Sequence, residues 1–356
     1  MNAFLPRIVS AVVLTLAFEL PLPAGTQVPT INAYTWRNVV IGGGGFVTAI
    51  IFHPAEKDLV YARTDVGGAY RWDKAGKRWM PITDWIGPED VNLTGIESLA
   101  LDPRDSNRVY LAAGTYSSGH AAILRSDDRG RTFQRTDVPF TMGGNEIGRF
   151  NGERLAVDPN HGEILLFGSR HHGLWKSDNR GAAWNKVEGF PDIGTATNSG
   201  FGESQQSPGI ICVVFDAPSG KPGSPTPVVY AGVSTTGTNL FCSKDAGVHW
   251  EAVSGQPRGL RPNHVAVAPA GIFYLSYGKE PGPNTMTDGA IWKFDSKTGA
   301  WTDVTPVKPG ASDQPFGYGA VAIDAQHPST LMATTFAHWH PHDEIFRSTN
   351  GGASWN

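Results

Sequence analysis

The segment "SDNRGAAW", from Ser177 to Trp184, contains a residue pattern that recurs along the chain. Each copy has a serine, then an acid or amide, then a glycine, and ends on an aromatic residue. Copies begin at Ser126, Ser243 and Ser348, and looser copies end at Trp79 and Trp301. Serine, aspartate and glycine favour a tight turn, and the closing aromatic residue favours the start of a strand. A spacing of roughly fifty residues is typical of four-stranded β-propeller blades.

Strand-like runs surround each turn in a constant order. In the first repeat these runs are "TAIIFHP", "DLVYART", "GAYRW" and "RWMPIT". Six such units follow one another, and the sixth lacks its last strand. We therefore predict an all-β fold: a seven-bladed β-propeller with Asp-box repeats, in which six blades are largely present and the ring is incomplete.

The beginning of the chain suggests how such a ring would close. The run "WRNV" at Trp36 matches the outer strands of later repeats but has no inner strands before it. An N-terminal strand that completes the last blade removes an exposed sheet edge. We expect residues 34–356 to form an N-terminal propeller domain that is truncated in mid-blade.

Composition and charge restrict the partners. The chain has 356 residues with 43 glycines, 26 prolines and 11 tryptophans, which favours short strands and turns. A net charge of -4 provides no basic field for a phosphate backbone, so we expect no nucleic-acid partner. No phosphate-binding or other cofactor motif has the required context, and we predict no cofactor.

The first residues have the pattern of an export signal. Arg7 precedes an apolar run from Ile8 to Leu22, and small residues follow at Ala24 and Gly25. This order is typical of a secretory signal peptide, which we assign to residues 1–25. No later run is long enough to cross a membrane, so we predict a secreted, extracellular protein without a membrane partner.

Two features invite a chemical interpretation that the sequence does not favour. The acids of the recurrent turns all occupy the same place between the third and fourth strands, which favours a structural role. Cys212 and Cys242 lie on the first and third strands of one repeat. Two strand spacings exceed the reach of a disulfide, so we expect two unpaired thiols.

The face opposite these turns is where a binding site is expected. Because strands in a blade alternate in direction, loops between second and third strands emerge there together. In the first repeat, Asp65 occupies this loop and is followed by Gly67 and Gly68. An aspartate here either projects into a cleft or only caps the turn.

Aromatic and hydrogen-bonding residues dominate the loops of this face. Without a dense positive cluster, such residues suit stacking on sugar rings and bonding to hydroxyl groups. The predicted stacking residues are Trp85, Tyr116, Tyr318 and Trp339, and the predicted polar contacts are Asn145, Glu146 and Arg149. The sequence thus indicates a neutral carbohydrate ligand.

Three longer stretches resemble glycoside hydrolase family 74, the xyloglucanases and related enzymes. They are "RTDVGGAYRW" from Arg63, "GGNEIGRFNGERLAVDPN" from Gly143 and "DEIFRSTNGGASW" from Asp343. The resemblance covers the chain from about Tyr34 onward. It implies two seven-bladed propellers with a glucan cleft between them and an inverting hydrolysis of xyloglucan. It also implies that Asp65, in the family's "TDxGGxYR" motif, is the general base.

The resemblance places the general acid in a second propeller that this sequence does not contain. Inversion needs two carboxyl groups about 6.5 to 9.5 Å apart. Glu146, Asp313 and Asp343 are weaker candidates for the acid. Because the acid is expected in the second propeller, we expect the 356 residues of this chain to be inactive on their own. Internal cleavage and cleavage at the reducing end are both open.

Other interpretations need different residues. His338, His340 and His342 alternate and would share one face of a strand, but no further ligand has the spacing of a zinc site, and we predict no metal. A non-catalytic propeller that binds glycans or proteins, as sortilin-like domains do, is the alternative function. A sialidase would need an arginine trio that has no clear match.

Overall fold

The computed structural model describes residues 39–191, 207–311, 314–338 and 342–356. Over these residues the chain forms five four-stranded antiparallel sheets and one three-stranded sheet. In every sheet the strands lie in chain order, so each sheet is a simple meander. The prediction of an all-β propeller with six consecutive blades is confirmed. The predicted signal peptide and the strand at Trp36 lie outside the described residues.

The strands match the repeats of the sequence. The first blade has β1 (Val47–Phe52), β2 (Val60–Thr64), β3 (Ala69–Asp73) and β4 (Arg78–Pro81). The second has β5 (Ile96–Leu101), β6 (Val109–Ala113), β7 (Ala122–Ser126) and β8 (Gln134–Asp137). The third has β9 (Leu155–Val157), β10 (Leu165–Gly168), β11 (Leu174–Ser177) and β12 (Asn185–Lys186).

The remaining blades repeat the order. The fourth has β13 (Ile210–Phe215), β14 (Val229–Val233), β15 (Leu240–Ser243) and β16 (Glu251–Ala252). The fifth has β17 (Arg261–Ala268), β18 (Ile272–Gly278), β19 (Gly289–Asp295) and β20 (Ala300–Asp303). The sixth has β21 (Gly317–Ile323), β22 (Leu331–Phe336) and β23 (Ile345–Ser348).

In the residues that the structure describes, helical structure is limited to short turns. The 3₁₀ helices are Pro88–Thr94, Ala217–Ser219, Pro269–Gly271 and Pro309–Ala311. In the described part of the chain, no helix has the length and apolar character that crossing a bilayer demands.

Apolar side chains between neighbouring blades form the core. The first and second blades pack Tyr61, Ala69, Ile96 and Leu111 against one another, and each is at most 1% exposed. Successive residues of a strand point to opposite faces of its sheet, so one blade contributes to the interfaces on both of its sides. This packing keeps consecutive blades side by side and brings their loops together at each end.

The recurrent turns share one hydrogen-bond pattern. In the second blade the N–H of Gly130 donates to Oγ of Ser126 over 2.7 Å, and that hydroxyl donates to Oδ1 of Asp128 over 2.7 Å. The same serine and glycine positions are bonded at Ser177, Ser243 and Ser348. The polar side chains at the start of these turns are thus occupied by the turn itself.

One face of the first blade is uncovered by the described residues. Ile51 of β1 packs towards the second blade, whereas its neighbours Ile50 and Phe52 are 52% and 70% exposed. An exposed apolar strand face of this kind is uncommon on the surface of a folded protein. It lies on the side of the first blade that faces away from the second.

A segment between β8 and β9 reaches several blades. This bridging segment, residues 143–154, donates backbone hydrogen bonds from Gly148 to the carbonyl of Gly282 over 2.7 Å and from Gly152 to Asn263 over 3.2 Å. The ring of Phe150 stacks on Phe336 with centroids 4.3 Å apart. The segment therefore ties the third blade to the fifth and sixth.

Both cysteines are buried free thiols. Cys212 lies on β13 and Cys242 on β15, with β14 between them. A side chain at Gly232 of β14 would approach Sγ of Cys212 to 2.5 Å, so glycine there leaves room for the sulfur. The expected unpaired state of the two thiols agrees with this arrangement.

Candidate active site

The turn between β2 and β3 positions Asp65 without using its carboxylate. Oγ1 of Thr64 accepts the N–H of Gly67 over 2.9 Å and donates to the carbonyl of Gly68 over 2.8 Å. Gly68 has a φ of 81°, which a side chain would disfavour, and a Cβ at Gly67 would lie 2.0 Å from the carbonyl oxygen of Gly44. Thr64, not Asp65, caps this turn, so the turn-capping alternative for Asp65 is wrong.

The carboxylate of Asp65 is held by groups outside its turn. Oδ1 accepts the backbone N–H of Phe46 over 2.7 Å, and Oδ2 lies 3.3 Å from Nε of Arg149. Only 8% of the side chain is exposed, because Gly45 and Arg149 lie against it. The described residues therefore enclose most of the carboxylate. Its predicted projection into a cleft and its predicted catalytic role stay predictions.

Close backbone contacts join Asp65 to the neighbouring loops. The N–H of Gly114 donates to the carbonyl of Gly95 over 2.8 Å, and the N–H of Gly144 donates to Gly114 over 2.7 Å. A Cβ at Gly95 would lie 2.4 Å from the carbonyl oxygen of Asp65 and 2.6 Å from Cα of Thr115. Glycine at these positions lets loops of the first three blades meet on one face.

Tyr116, Asn145 and Glu146 form the adjoining part of this face. The side-chain amide of Asn145 donates to the phenolic oxygen of Tyr116 over 2.8 Å. Glu146 accepts both the N–H and the hydroxyl of Ser117 over 2.7 Å each. Tyr116 is 48% exposed, and Asn145 and Glu146 are partly buried. The structure thus brings these three predicted residues together, with Asp65 next to them through the backbone contacts.

A buried charge cluster is bonded to the loops of this face through Gly143. Oε1 of Glu97 lies 2.8 Å from Nε of Arg154 and 2.7 Å from Nε of Arg170, and all three side chains are at most 3% exposed. Oε2 of Glu97 accepts the N–H of Gly143. Burial raises the pKa of Glu97, but the charges of Arg170 and Arg154 outweigh this and hold the pKa below its ordinary value. Glu97 is therefore an ionised anchor.

A second buried pair connects the first blade to the bridging segment. Nε of Arg63, whose side chain is 0% exposed, lies 2.9 Å from Oε1 of Glu153. The other oxygen of Glu153 accepts the hydroxyl of Ser98 over 2.6 Å and the N–H of Leu99 over 2.7 Å. These residues were not predicted from the sequence, although a charged residue inside the apolar strand "VYART" was a signal for Arg63.

The predicted stacking role of Tyr318 is wrong. Its side chain is 0% exposed, and its hydroxyl donates to the carbonyl of Val307 over 2.6 Å and accepts the N–H of the same residue over 3.1 Å. Phe316 packs against its ring with centroids 5.7 Å apart. Tyr318 is a core residue because β21 turns it into the interior of the blade.

Of the predicted stacking residues Trp85 and Trp339, the structure describes only Trp85. Trp85 is 51% exposed, with its Nε1 bonded to the carbonyl of Ile82 over 3.2 Å and its ring stacked on Phe133 at 6.0 Å. Phe133 follows the recurrent turn of the second blade, so Trp85 lies at a seam between blades. A sugar contact there stays a prediction. Trp339 lies outside the described residues.

The histidine segment does not assemble a metal centre in the part that is described. His338 is 8% exposed and packs on Phe316 at 4.4 Å, and His340 lies outside the described residues. Within residues 39–191, 207–311, 314–338 and 342–356, no three ligand side chains converge in the geometry of a metal site.

Carboxylate chemistry is what this arrangement can supply. Asp65 has one oxygen bonded to a backbone N–H and a second oxygen beside a guanidinium, next to an exposed tyrosine and polar side chains. Such a group can orient a water molecule and take its proton. Glu146 is engaged with Ser117, which favours binding over proton donation.

Two xyloglucanases are similar to this chain over most of its length. The chain is 46% identical over 352 residues to a xyloglucanase from a Paenibacillus species, and the match covers 97% of this chain and 34% of that relative. It is 37% identical over 370 residues to the oligoxyloglucan-reducing end-specific xyloglucanase of Emericella nidulans, and that match covers 96% of this chain and 44% of the relative. No protein-family model matches the chain.

A solved structure of a related enzyme is also similar to this chain. The GH74 xyloglucanase from Xanthomonas campestris superposes with a TM-score of 0.84 at 55% identity, over 91% of this chain and 46% of that chain. The fold and these matches thus define a β-propeller of the class found in glycoside hydrolases. Within that class, the chain belongs to glycoside hydrolase family 74. It spans less than half the length of these three relatives.

Proposed function

We propose that this chain is the first propeller of a secreted, inverting glycoside hydrolase that cleaves the β-1,4-glucan backbone of xyloglucan. Its membership of family 74 and the names of its relatives support the substrate class. The alternative is a non-catalytic propeller that binds glycans or proteins. The environment of Asp65 favours the hydrolase, because a binding module has no need of a carboxylate held apart from its own turn.

The observation that carries the proposal is the environment of Asp65. Its turn is capped by Thr64, and its oxygens contact the N–H of Phe46 and Nε of Arg149. A carboxylate fixed in this way is preorganised to act as a general base. In an inverting reaction, Asp65 takes a proton from water while the water oxygen attacks the anomeric carbon. A separate acid protonates the departing glycosidic oxygen.

The proposal assigns that acid to a second propeller. Among the described residues, no carboxyl group is paired with Asp65; its charged neighbour is Arg149. Two carboxyl groups about 6.5 to 9.5 Å apart are required for inversion. The second propeller is therefore the principal partner, and we expect these 356 residues alone to release no product from xyloglucan.

The seventh blade and export belong to the same proposal. The exposed side chains of Ile50 and Phe52 give a seventh blade an apolar surface to cover. The apolar run from Ile8 to Leu22 supports removal of residues 1–25 during export. An extracellular location suits a polysaccharide that cannot enter the cell.

The proposed sugar contacts are Tyr116, Asn145 and Glu146, and the proposal keeps Trp85 and Trp339 as the other two aromatic contacts predicted from the sequence. Tyr116 offers an exposed ring, and the other two offer polar atoms next to it. The relatives include a xyloglucanase and a reducing end-specific enzyme. The length of the first products from xyloglucan distinguishes internal from terminal cleavage.

Hydrolysis of xyloglucan by the full-length protein tests this proposal. The products should be followed by proton NMR from the first minutes, before mutarotation. An inverting enzyme acting on a β-linkage releases the α anomer first. Initial release of the β anomer would contradict inversion. Binding of xyloglucan without any cleavage would favour the non-catalytic alternative.

A further inference from the structure

We infer that Arg149 is a positioning residue that fixes the carboxylate of Asp65, instead of a contact to the sugar. This inference rests on the proposed function and assigns a role within the same site. Its basis is the 3.3 Å approach of Nε of Arg149 to Oδ2 of Asp65, which makes the guanidinium the charged neighbour of the carboxylate.

The two oxygens of Asp65 have different environments. Oδ1 accepts the N–H of Phe46 over 2.7 Å, and a Cβ at Gly45 would lie at the same distance from it. Oδ2 lies 3.3 Å from Nε of Arg149, but the two atoms are not hydrogen-bonded, because Nε has no hydrogen-bond partner among the described residues. Oδ2 therefore keeps a lone pair to accept a proton, and we assign it as the oxygen that takes the proton from water.

The backbone of Arg149 is anchored to the core. Nη1 of Arg63 donates to the carbonyl of Arg149 over 3.1 Å, and Nη2 donates to the carbonyl of Asn151 over 3.0 Å. Arg63 is itself fully buried and paired with Glu153. Because the bridging segment is fixed in this way, Arg149 has little freedom to move away from Asp65.

The side chain of Arg149 is also enclosed. Only 20% of it is exposed, and its guanidinium carbon lies 5.7 Å from the centre of the Phe46 ring. The same residue, Phe46, thus holds Oδ1 through its N–H and packs on the guanidinium through its ring. A planar guanidinium fits between an aromatic ring and a carboxylate, which a lysine ammonium does not reproduce.

The proton balance of the step is simple. Before attack, Asp65 is ionised and Arg149 is its counter-ion. As the water oxygen bonds to the anomeric carbon, its proton passes to Oδ2, and the electron pair of the broken C–O bond goes to the leaving oxygen, which takes a proton from the separate acid. Arg149 neither gains nor loses a proton; it sets the direction of Oδ2.

Kinetics of Arg149→Met and Arg149→Lys in the full-length protein test the assignment. We expect both variants to lose about 10- to 100-fold in kcat with little change in KM, since misplacing a catalytic group lowers kcat. Guanidinium ion should restore part of the activity of Arg149→Ala. Arg135→Met is the matched control, because Arg135 lies on the outer strand β8, where it pairs with Asp90 and Asp137, and its loss should not alter kcat.

The outcomes separate this inference from the proposed function. A raised KM with unchanged kcat in both Arg149 variants would overturn the inference and make Arg149 a sugar contact. Full activity in both, with an inactive Asp65→Asn, would overturn it while leaving Asp65 as the base. Retained activity in Asp65→Asn would instead contradict the proposed function.

A crystal structure of Arg149→Lys covers the case in which Arg149→Met does not fold. The inference predicts that the Asp65 carboxylate rotates and that the 2.7 Å bond from Phe46 to Oδ1 is lost or lengthened. An unchanged carboxylate in that variant would overturn the positioning role.

Discussion

Asn145 donates its side-chain amide to the phenolic oxygen of Tyr116 over 2.8 Å, joining residues that are 29 positions apart in the sequence. The bond fixes the orientation of a ring that is 48% exposed. A rigid aromatic surface loses little conformational entropy when a ligand binds to it. This pair is therefore the best-defined candidate for a sugar-binding surface in the described part of the chain.

Replacing Tyr116 by alanine should weaken binding of xyloglucan oligosaccharides. Loss of the stacked ring is expected to cost about 1 kcal/mol, or roughly fivefold in Kd. Calorimetry with the full-length protein measures this directly. Tyr116→Phe keeps the ring but removes the bond to Asn145, so its effect should be smaller. Equal losses in the two variants would show that the ring itself does not contact the sugar.

Arg154→Met should strongly destabilise the propeller. The substitution leaves Glu97 buried with one of its two arginine partners missing. Breaking a buried ion pair on one side costs about 3 to 5 kcal/mol. Urea unfolding of wild type and variant measures the difference. Arg135→Met removes surface ion pairs and should cost less than about 1 kcal/mol; a similar loss in both variants would contradict the special role of the buried cluster.

Acid should destabilise the protein partly through Glu97. The pKa of this carboxyl is held below its ordinary value of 4.5 in the folded state. As the pH falls below that value, the unfolded chain binds the proton first, so the free energy of unfolding decreases. Glu97→Gln should be less stable at neutral pH but should lose less stability on acidification. An unchanged pH slope in the variant would contradict this contribution.

Neither cysteine should react in the native protein. Burial raises the pKa of Cys212 to about 12, and also raises the pKa of Cys242. The thiolate is the reactive form, and both residues are at most 6% exposed. Ellman's reagent should therefore label no thiol until denaturant is added, and then label two per chain. Rapid labelling of the native protein would show that the fourth blade opens.

The blade architecture could be predicted because its signals are local. Each turn holds serine, acid or amide, and glycine within a few residues, as at Ser126, Asp128 and Gly130, and these side chains bond to one another. Alternation of strand direction then predicted which loops share a face. Asp65, Tyr116 and Asn145 are on neighbouring loops for that reason.

Contacts between distant segments could not be predicted. Arg63 and Glu153 are 90 residues apart, and Arg170 and Glu97 are 73 apart, so no local pattern pairs them. Tyr318 was misassigned because its chain position suggests a loop, whereas β21 begins one residue earlier and directs the ring inward. Burial of a tyrosine whose hydroxyl finds a backbone partner has no sequence signature.

The enclosure of Asp65 could not be predicted either, because it also depends on contacts between distant segments. Its cover comes from Gly45 and Phe46 of one segment and Arg149 of another. The sequence identified the acid as a turn residue but assigned Arg149 to the sugar. The three-dimensional contact between them changes that assignment.

The kcat of Asp65→Ala on xyloglucan, with and without sodium azide, shows whether Asp65 is the general base. We expect kcat of the full-length variant to fall by at least about 100-fold, because the general base is lost. Azide needs no base to attack, so it should restore cleavage and yield an α-glycosyl azide. A variant that retains the wild-type kcat without azide would contradict the assignment of Asp65 as the base.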